Sequence, residues 1–151
     1  MGGLNNMIYC NIARGMQIKT VKSALGKYIE LRDVQLLSNA VHRCVVVHGE
    51  WINEENKEMA KRDILIDRHI RIGKGLNVSF RSRRKDVIDD VMRLANKLGI
   101  KVQKVSSRPY VMDQEYHIEL GNINVDSKRF KEWKAKLPKV TGVKRVDYYA
   151  I

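Results

Sequence analysis

The apolar positions divide the chain into short alternating runs and a few helical stripes. Residues 7–12 are a brief apolar stretch with β-branched and aromatic content, which predicts a strand. From Gln17, the positions Ile18, Val21, Ala24, Leu25 and Tyr28 recur at helical spacing and predict an amphipathic helix over 17–31. Residues 34–37 and 43–48 read as two strands, with Ser38-Asn39 near their turn. Residues 51–61 are rich in Glu, Lys, Met and Ala and read as a helix. The following R-D-I-L-I-D-R-H fits a helical extension or a strand equally well.

Farther on, Ile70 and Ile72 alternate with polar residues before Gly73-Lys74-Gly75, and Leu76, Val78 and Phe80 do so after it. Alternation about a glycine-flanked turn predicts a β-hairpin. Those five apolar side chains would share a buried face. His69, Arg71, Asn77, Ser79, Arg81 and Arg83 would share the other, with Lys74 at the tip.

The next stripe, Val87, Val91, Leu94 and Leu98, predicts a helix over 85–98. Asp86, Asp89 and Asp90 near its start and Arg93 and Lys97 near its end suit the helix dipole. Ser82 is the expected N-cap and Gly99 the expected stop. Residues 100–105 and 116–120 read as a strand pair joined by S-S-R-P-Y-V-M-D-Q. Phe130, Trp133 and Leu137 mark a helix over 126–137 that Pro138 ends. A last strand covers 143–151, with Tyr148 and Tyr149 on opposite faces.

This order predicts an α+β fold of antiparallel sheets with helices packed on one face. It divides in two ways: as tandem ferredoxin-like βαββαβ units, the second beginning at Leu76, or as αββαββα from about residue 57. The expected organisation is an N-terminal α+β unit over 1–60 and a basic C-terminal unit over 61–151, packed as one body.

Charge changes the picture most. The 151 residues carry a net +12, with a pI near 9.9. Residues 68–85 hold seven basic residues (Arg68, Arg71, Lys74, Arg81, Arg83, Arg84 and Lys85) and no acid, so they supply +7 of that excess. Such charge raises affinity for polyanions, and nucleic acid is the expected partner. A membrane is not, because the basic residues lie on a predicted strand face rather than on an amphipathic helix. No apolar run is long enough to span a bilayer, and the N-terminus lacks a signal-peptide layout, so an intracellular location (cytoplasmic, nucleoid or nuclear) is expected. Cys10 and Cys44 sit among apolar neighbours and read as buried free thiols. The four histidines lack metal-ligand spacing, and no phosphate-loop, nucleophile-elbow or zinc-protease motif occurs, so neither cofactor nor metal is expected.

The expected contact set begins at Arg68 and His69. Arg71, Lys74, Arg81, Arg83, Arg84 and Lys85 would neutralise phosphates, and Asn77 and Ser79 would reach base edges. Lys101, Gln103, Arg108 and His117 of the next strand pair would extend the face. About five phosphate contacts predict a log–log salt slope of about −4 to −5.

The stretch I-L-I-D-R-H-I-R-I-G-K-G-L-N-V-S-F-R-S-R-R-K, continuing to L-G-I-K-V, resembles one repeat of a LAGLIDADG homing endonuclease of the kind found within inteins. The resemblance spans about residues 59–137. It implies a signature helix ending in Leu65-Ile66-Asp67, a DNA-reading hairpin, and Asp67 as a catalytic carboxylate using Mg²⁺ if cleavage is retained. A homodimer, or an unrecognised partner carboxylate, would complete the metal site. His69 stands where the family has its metal-binding acid, and imidazole is a poor Mg²⁺ ligand, so the resemblance implies DNA binding with cleavage weak or lost. The β-α-β-β-α-β order of residues 7–83 is also similar to an RNA-recognition motif, with Tyr9 as its one candidate stacking ring. A third reading is a protein-interaction module of a ribonucleoprotein or a mobile-element inhibitor.

Overall fold

A computed structural model describes residues 7–151, and in it one pattern of elements occurs twice. The first pass comprises β1 (Met7–Ile12), α1 (Ile18–Leu25), β2 (Ile29–Asn39), β3 (Arg43–Trp51), α2 (Lys57–Arg68) and β4 (Arg71–Gly73). The second comprises β5 (Leu76–Ser82), α3 (Val87–Leu98), β6 (Lys104–Tyr110), β7 (Asp113–Gly121), α4 (Lys128–Lys136) and β8 (Lys144–Ala150). The sheets run β2-β3-β1-β4 and β6-β7-β5-β8, and every pairing is antiparallel. The fold is therefore α+β, a tandem of ferredoxin-like βαββαβ units. The absence of a signal-peptide layout was read partly on residues 1–6, which lie outside the described residues. No helix among the described residues is long and apolar enough to cross a membrane.

The two sheets are buried differently. Ile8, Cys10, Ile12, Val45 and Val47 face α1 and α2, where they pack with Val21, Leu25 and Ile64. Met7, Tyr9, Leu37, Cys44 and Val46 point the other way and join Val78, Phe80, Val91 and Trp133 in a second core. The first sheet is thus covered on both faces, which is why β3 reads as the unbroken run C-V-V-V. Hydrogen bonds join the units. The Tyr9 hydroxyl meets Asn122 Oδ1 at 3.2 Å and the Ile123 carbonyl. Lys134 Nζ donates to the Leu37 carbonyl at 3.0 Å. The Asn11 side chain both donates to and accepts from the Ala150 backbone, at 2.9 and 2.8 Å.

Residues 68–85 do not form the expected hairpin. Arg68 ends α2, and His69 caps it in the left-handed conformation, φ 57°. β4 then pairs with β1 in the first sheet, whereas β5 pairs with β7 and β8 in the second. Accordingly Ile70 and Ile72 pack in the first core, while Leu76, Val78 and Phe80 pack in the second. The glycines serve close approach. A Cβ on Gly73 would lie 2.7 Å from the Ile151 backbone, and one on Gly75 would lie 2.9 Å from the Gly121 backbone. That proximity lets Gly75 and Ile151 exchange backbone hydrogen bonds at 3.1 and 3.0 Å.

Two boundaries also differ from expectation, and one open choice is resolved. α1 stops at Gly26 and the chain re-enters a strand at Ile29, so Tyr28 and Leu31 are not helical. The stretch R-D-I-L-I-D-R continues α2. β6 starts at Lys104 and runs through Pro109, so S-S-R-P-Y is strand and only Val111-Met112 turn the chain into β7. Pro109 is tolerated because β6 is an edge strand. Ser82 does not cap α3; its hydroxyl accepts from the Arg84 amide at 3.0 Å, and Asp86 holds the N-cap position.

Candidate nucleic-acid interface

Only one face of the second sheet is apolar. Val78 and Phe80, Tyr116, Ile118 and Leu120, and Tyr148 and Ala150 point toward α3 and α4 and are buried. The residues between them necessarily take the outer face: Asn77, Ser79 and Arg81 on β5, Glu115, His117 and Glu119 on β7, and Asp147 and Tyr149 on β8. Register lines these up in rows. Ser106, His117, Ser79 and Asp147 face one another across the sheet, as do Arg108, Glu115 and Arg81.

A recess of about 400 Å³ lies over this face. The turn between β2 and β3 contributes Val41 and His42 to its lining, and the end of β6 contributes Tyr110. Arg81, Arg108 and Arg145 line it as well. The Arg81 guanidinium sits 3.6 Å from the centre of the Tyr110 ring, a cation–π contact that holds the cation flat on an aromatic surface. The His42 ring stacks on Tyr149 with centroids 4.7 Å apart. Arg145 has φ 59°, and the β5–β8 register slips between Ser79 and Arg81, opposite the segment from Asp147 back to Lys144. This bulge re-aims the Arg145 side chain relative to a regular strand.

Two carboxylates organise the polar groups. Glu115 accepts from Arg108 Nε at 3.0 Å and lies 3.0 Å from His117 Nε2 and 3.4 Å from Arg81 Nε. Burial works against its ionisation, but the hydrogen bonds from His117 and Arg108 outweigh that and hold the carboxyl below its usual range. Asp147, only 3% exposed, accepts from Ser38 Oγ at 2.8 Å, from the His42 amide at 3.1 Å and from His42 Nδ1 at 2.6 Å. It thereby ties the β2–β3 turn of the first unit to the sheet of the second. Tyr149 Oη lies 2.5 Å from His117 Nδ1 and accepts from Asn77 Nδ2 at 3.2 Å. Burial pushes the Tyr149 phenol up from its ordinary value, so it stays protonated at neutral pH.

The structure brings together Asn77, Ser79, Arg81, Arg108 and His117 of the expected contact residues. The others lie elsewhere. Asp67, Arg68 and His69 end α2 on the first unit, all exposed, and Arg71 in β4 and Lys74 just after it are exposed as well. No group of three His, Cys, Asp or Glu side chains that could hold a metal occurs among the described residues. Arg83 pairs with Asp113 at 3.6 Å. Arg84 is bound to Asp86, Asp90 and the Thr141 carbonyl, so it braces the start of α3 rather than facing outward alone. Lys85 is exposed in the loop before α3. Lys101 and Gln103 line a separate recess of about 430 Å³ beside Arg129.

Sequence reading missed His42, Tyr110, Glu115, Arg145, Asp147 and Tyr149. The period-two spacing of Glu115 with His117 and of Asp147 with Tyr149 was available as a signal. His42, Tyr110 and Arg145 enter through turns and a bulge, which carry no periodic signature.

No family model matches the sequence, and no curated protein matches it. Among solved structures, a putative glycine cleavage system transcriptional repressor aligns with TM-score 0.39 and 9% identity, covering 96% of each chain. A quorum-quenching acylase, GqqA, aligns with TM-score 0.41 and 8% identity over 96% of this chain and 71% of its own. Protein BT0572 from Bacteroides thetaiotaomicron aligns with TM-score 0.35 and 18% identity, over 95% and 89%. At these scores none of them decides fold or function here.

Proposed function

We propose that the outer face of the second sheet binds single-stranded nucleic acid, with RNA as the preferred polymer. What supports the reading is one arrangement: Arg81, Arg108 and Arg145 line a recess that also presents the Tyr110 ring, on a sheet face that no helix among the described residues covers. Guanidiniums pair with phosphates, and an aromatic surface accepts an unstacked base, so an open strand suits this face better than a duplex. A recess of about 400 Å³ has the size of an ordinary small-ligand site and takes roughly one nucleotide. The net charge of +12 supplies the long-range attraction.

Three arginines predict a log–log salt slope of about −2 on a single strand. This is shallower than the slope expected for the whole basic run, because Arg71, Lys74 and Arg84 lie off the face. Anisotropy titrations of labelled single-stranded RNA, single-stranded DNA and duplex DNA across a salt series test it. Tightest binding of the single-stranded RNA with that slope is expected. A slope near zero, or a preference for duplex, overturns the reading.

A further inference from the structure

Two imidazoles meet the recess, each held by a carboxylate. Asp147 can only accept, so His42 carries its proton on Nδ1, 2.6 Å from Asp147 Oδ2, and its Nε2 lone pair is free to take a proton. His42 lines the recess with 45% of its side chain exposed, whereas Asp147 is buried. On the other side, Glu115, His117 and Tyr149 form a continuous chain: Glu115 to His117 Nε2 at 3.0 Å, and His117 Nδ1 to Tyr149 Oη at 2.5 Å. Tyr149 stacks against His42, so a proton acceptor and a proton donor stand side by side at one nucleotide-sized, arginine-lined site.

From this arrangement we infer that the recess cleaves RNA by general acid–base catalysis at the ribose 2′-hydroxyl, an inference that rests on the RNA-binding reading above. His42 Nε2 removes the 2′-hydroxyl proton. The 2′-oxygen forms a bond to phosphorus as the bond from phosphorus to the 5′-oxygen breaks. Tyr149 gives its proton to the departing 5′-oxygen and is left as a phenolate, which accepts from Asn77 Nδ2. The products are a 2′,3′-cyclic phosphate and a 5′-hydroxyl, and the proton that His42 has gained returns through solvent to Tyr149, which restores both groups. His42 and Tyr149 touch the reacting atoms; Asp147, His117 and Glu115 are positioning residues. Both proton transfers use side chains, so the step balances without a metal. It differs from cleavage through Asp67, which lies on α2 in the other unit.

The test incubates the full chain with a labelled, randomised single-stranded RNA pool in EDTA, beside the same pool made as DNA, with RNA binding measured separately by anisotropy. Cleaved RNA bearing 2′,3′-cyclic phosphate ends and intact DNA are expected. His42→Ala should slow cleavage by roughly a hundredfold or more, and free imidazole in solution should restore part of the rate, which a merely structural role would not allow. RNA that is bound but left intact overturns the inference and leaves the binding reading standing. Absence of RNA binding overturns the binding reading and the inference with it. Equal cleavage by His42→Ala, or products with 3′-hydroxyl ends, also overturns the inference.

Discussion

The two halves share a topology and differ in what covers them. The first sheet has its own helices on one side and the second unit on the other, so Cys44, Val45, Val46 and Val47 are all fully buried. Among the described residues the second sheet has helices on one side only, and β7 alternates Glu115, Tyr116, His117, Ile118, Glu119, Leu120 between outside and core. The same βαββαβ chain path therefore yields a structural slab in one case and a polar platform in the other. Strand composition, not topology, tells which half is free to meet a partner.

The sharpest way to break this comparison is a charge on each sheet. Val46→Asp buries an unpaired carboxylate between the units and should cost about 4 kcal/mol or more, unfolding much of the population. Ser106→Asp, on the exposed edge of the platform, should change stability by less than about 0.5 kcal/mol. Urea denaturation followed by circular dichroism measures both. Equal tolerance at the two positions would mean that the first sheet is not covered on both faces.

Glu115 gives a smaller, pH-dependent effect. Its folded carboxyl lies below the ordinary range, so its contribution is present above the unfolded value of about 4.3 and is lost as pH falls through the folded one. Glu115→Gln should lower stability by about 2 kcal/mol at pH 7, and the gap to the parent protein should close below about pH 4. Melting temperatures across pH 3–8 for both proteins would read this out. A gap that persists in acid would assign the loss to packing instead.

The smallest effect is expected at Arg145. Glycine adopts its left-handed conformation freely, so Arg145→Gly should leave stability within about 1 kcal/mol. It should nevertheless weaken single-stranded RNA binding several-fold and reduce the salt slope by about 0.7.

Much of the fold was legible from pattern. α3 follows an unbroken apolar stripe and stops at Gly99, φ 73°, as the sequence predicts. The tandem division beginning at Leu76 was also readable. β2 was legible only in part because its register slips between Leu31 and Asp33 and again between Leu36 and Ser38, which breaks the alternation over its eleven residues. β6 was hidden because every one of its residues is exposed, so no apolar face marks it. The hairpin at Gly73-Lys74-Gly75 was misread for a different reason. Alternation on either side of a turn looks the same whether the strands pair with each other or leave for separate sheets, and only tertiary contacts with Ile151 and Gly121 decide.

The site was half legible on the same grounds. Asn77, Ser79, Arg81, Arg108 and His117 lie on strands whose alternation places them on the outer face, although Asn77 and Ser79 are themselves buried there. His42 and Asp147 meet across 105 residues of chain, a pairing that local pattern does not contain.

The proposed contact with nucleic acid lies on the sheet face, and the alternative is the exposed part of the basic run, residues 68–74. Ultraviolet cross-linking of single-stranded RNA to the full chain, with modified residues located by mass spectrometry, asks this directly. Cross-links at Tyr110, His117 and Tyr149 are predicted. Cross-links confined to residues 68–74, with those three side chains unmodified, would contradict it.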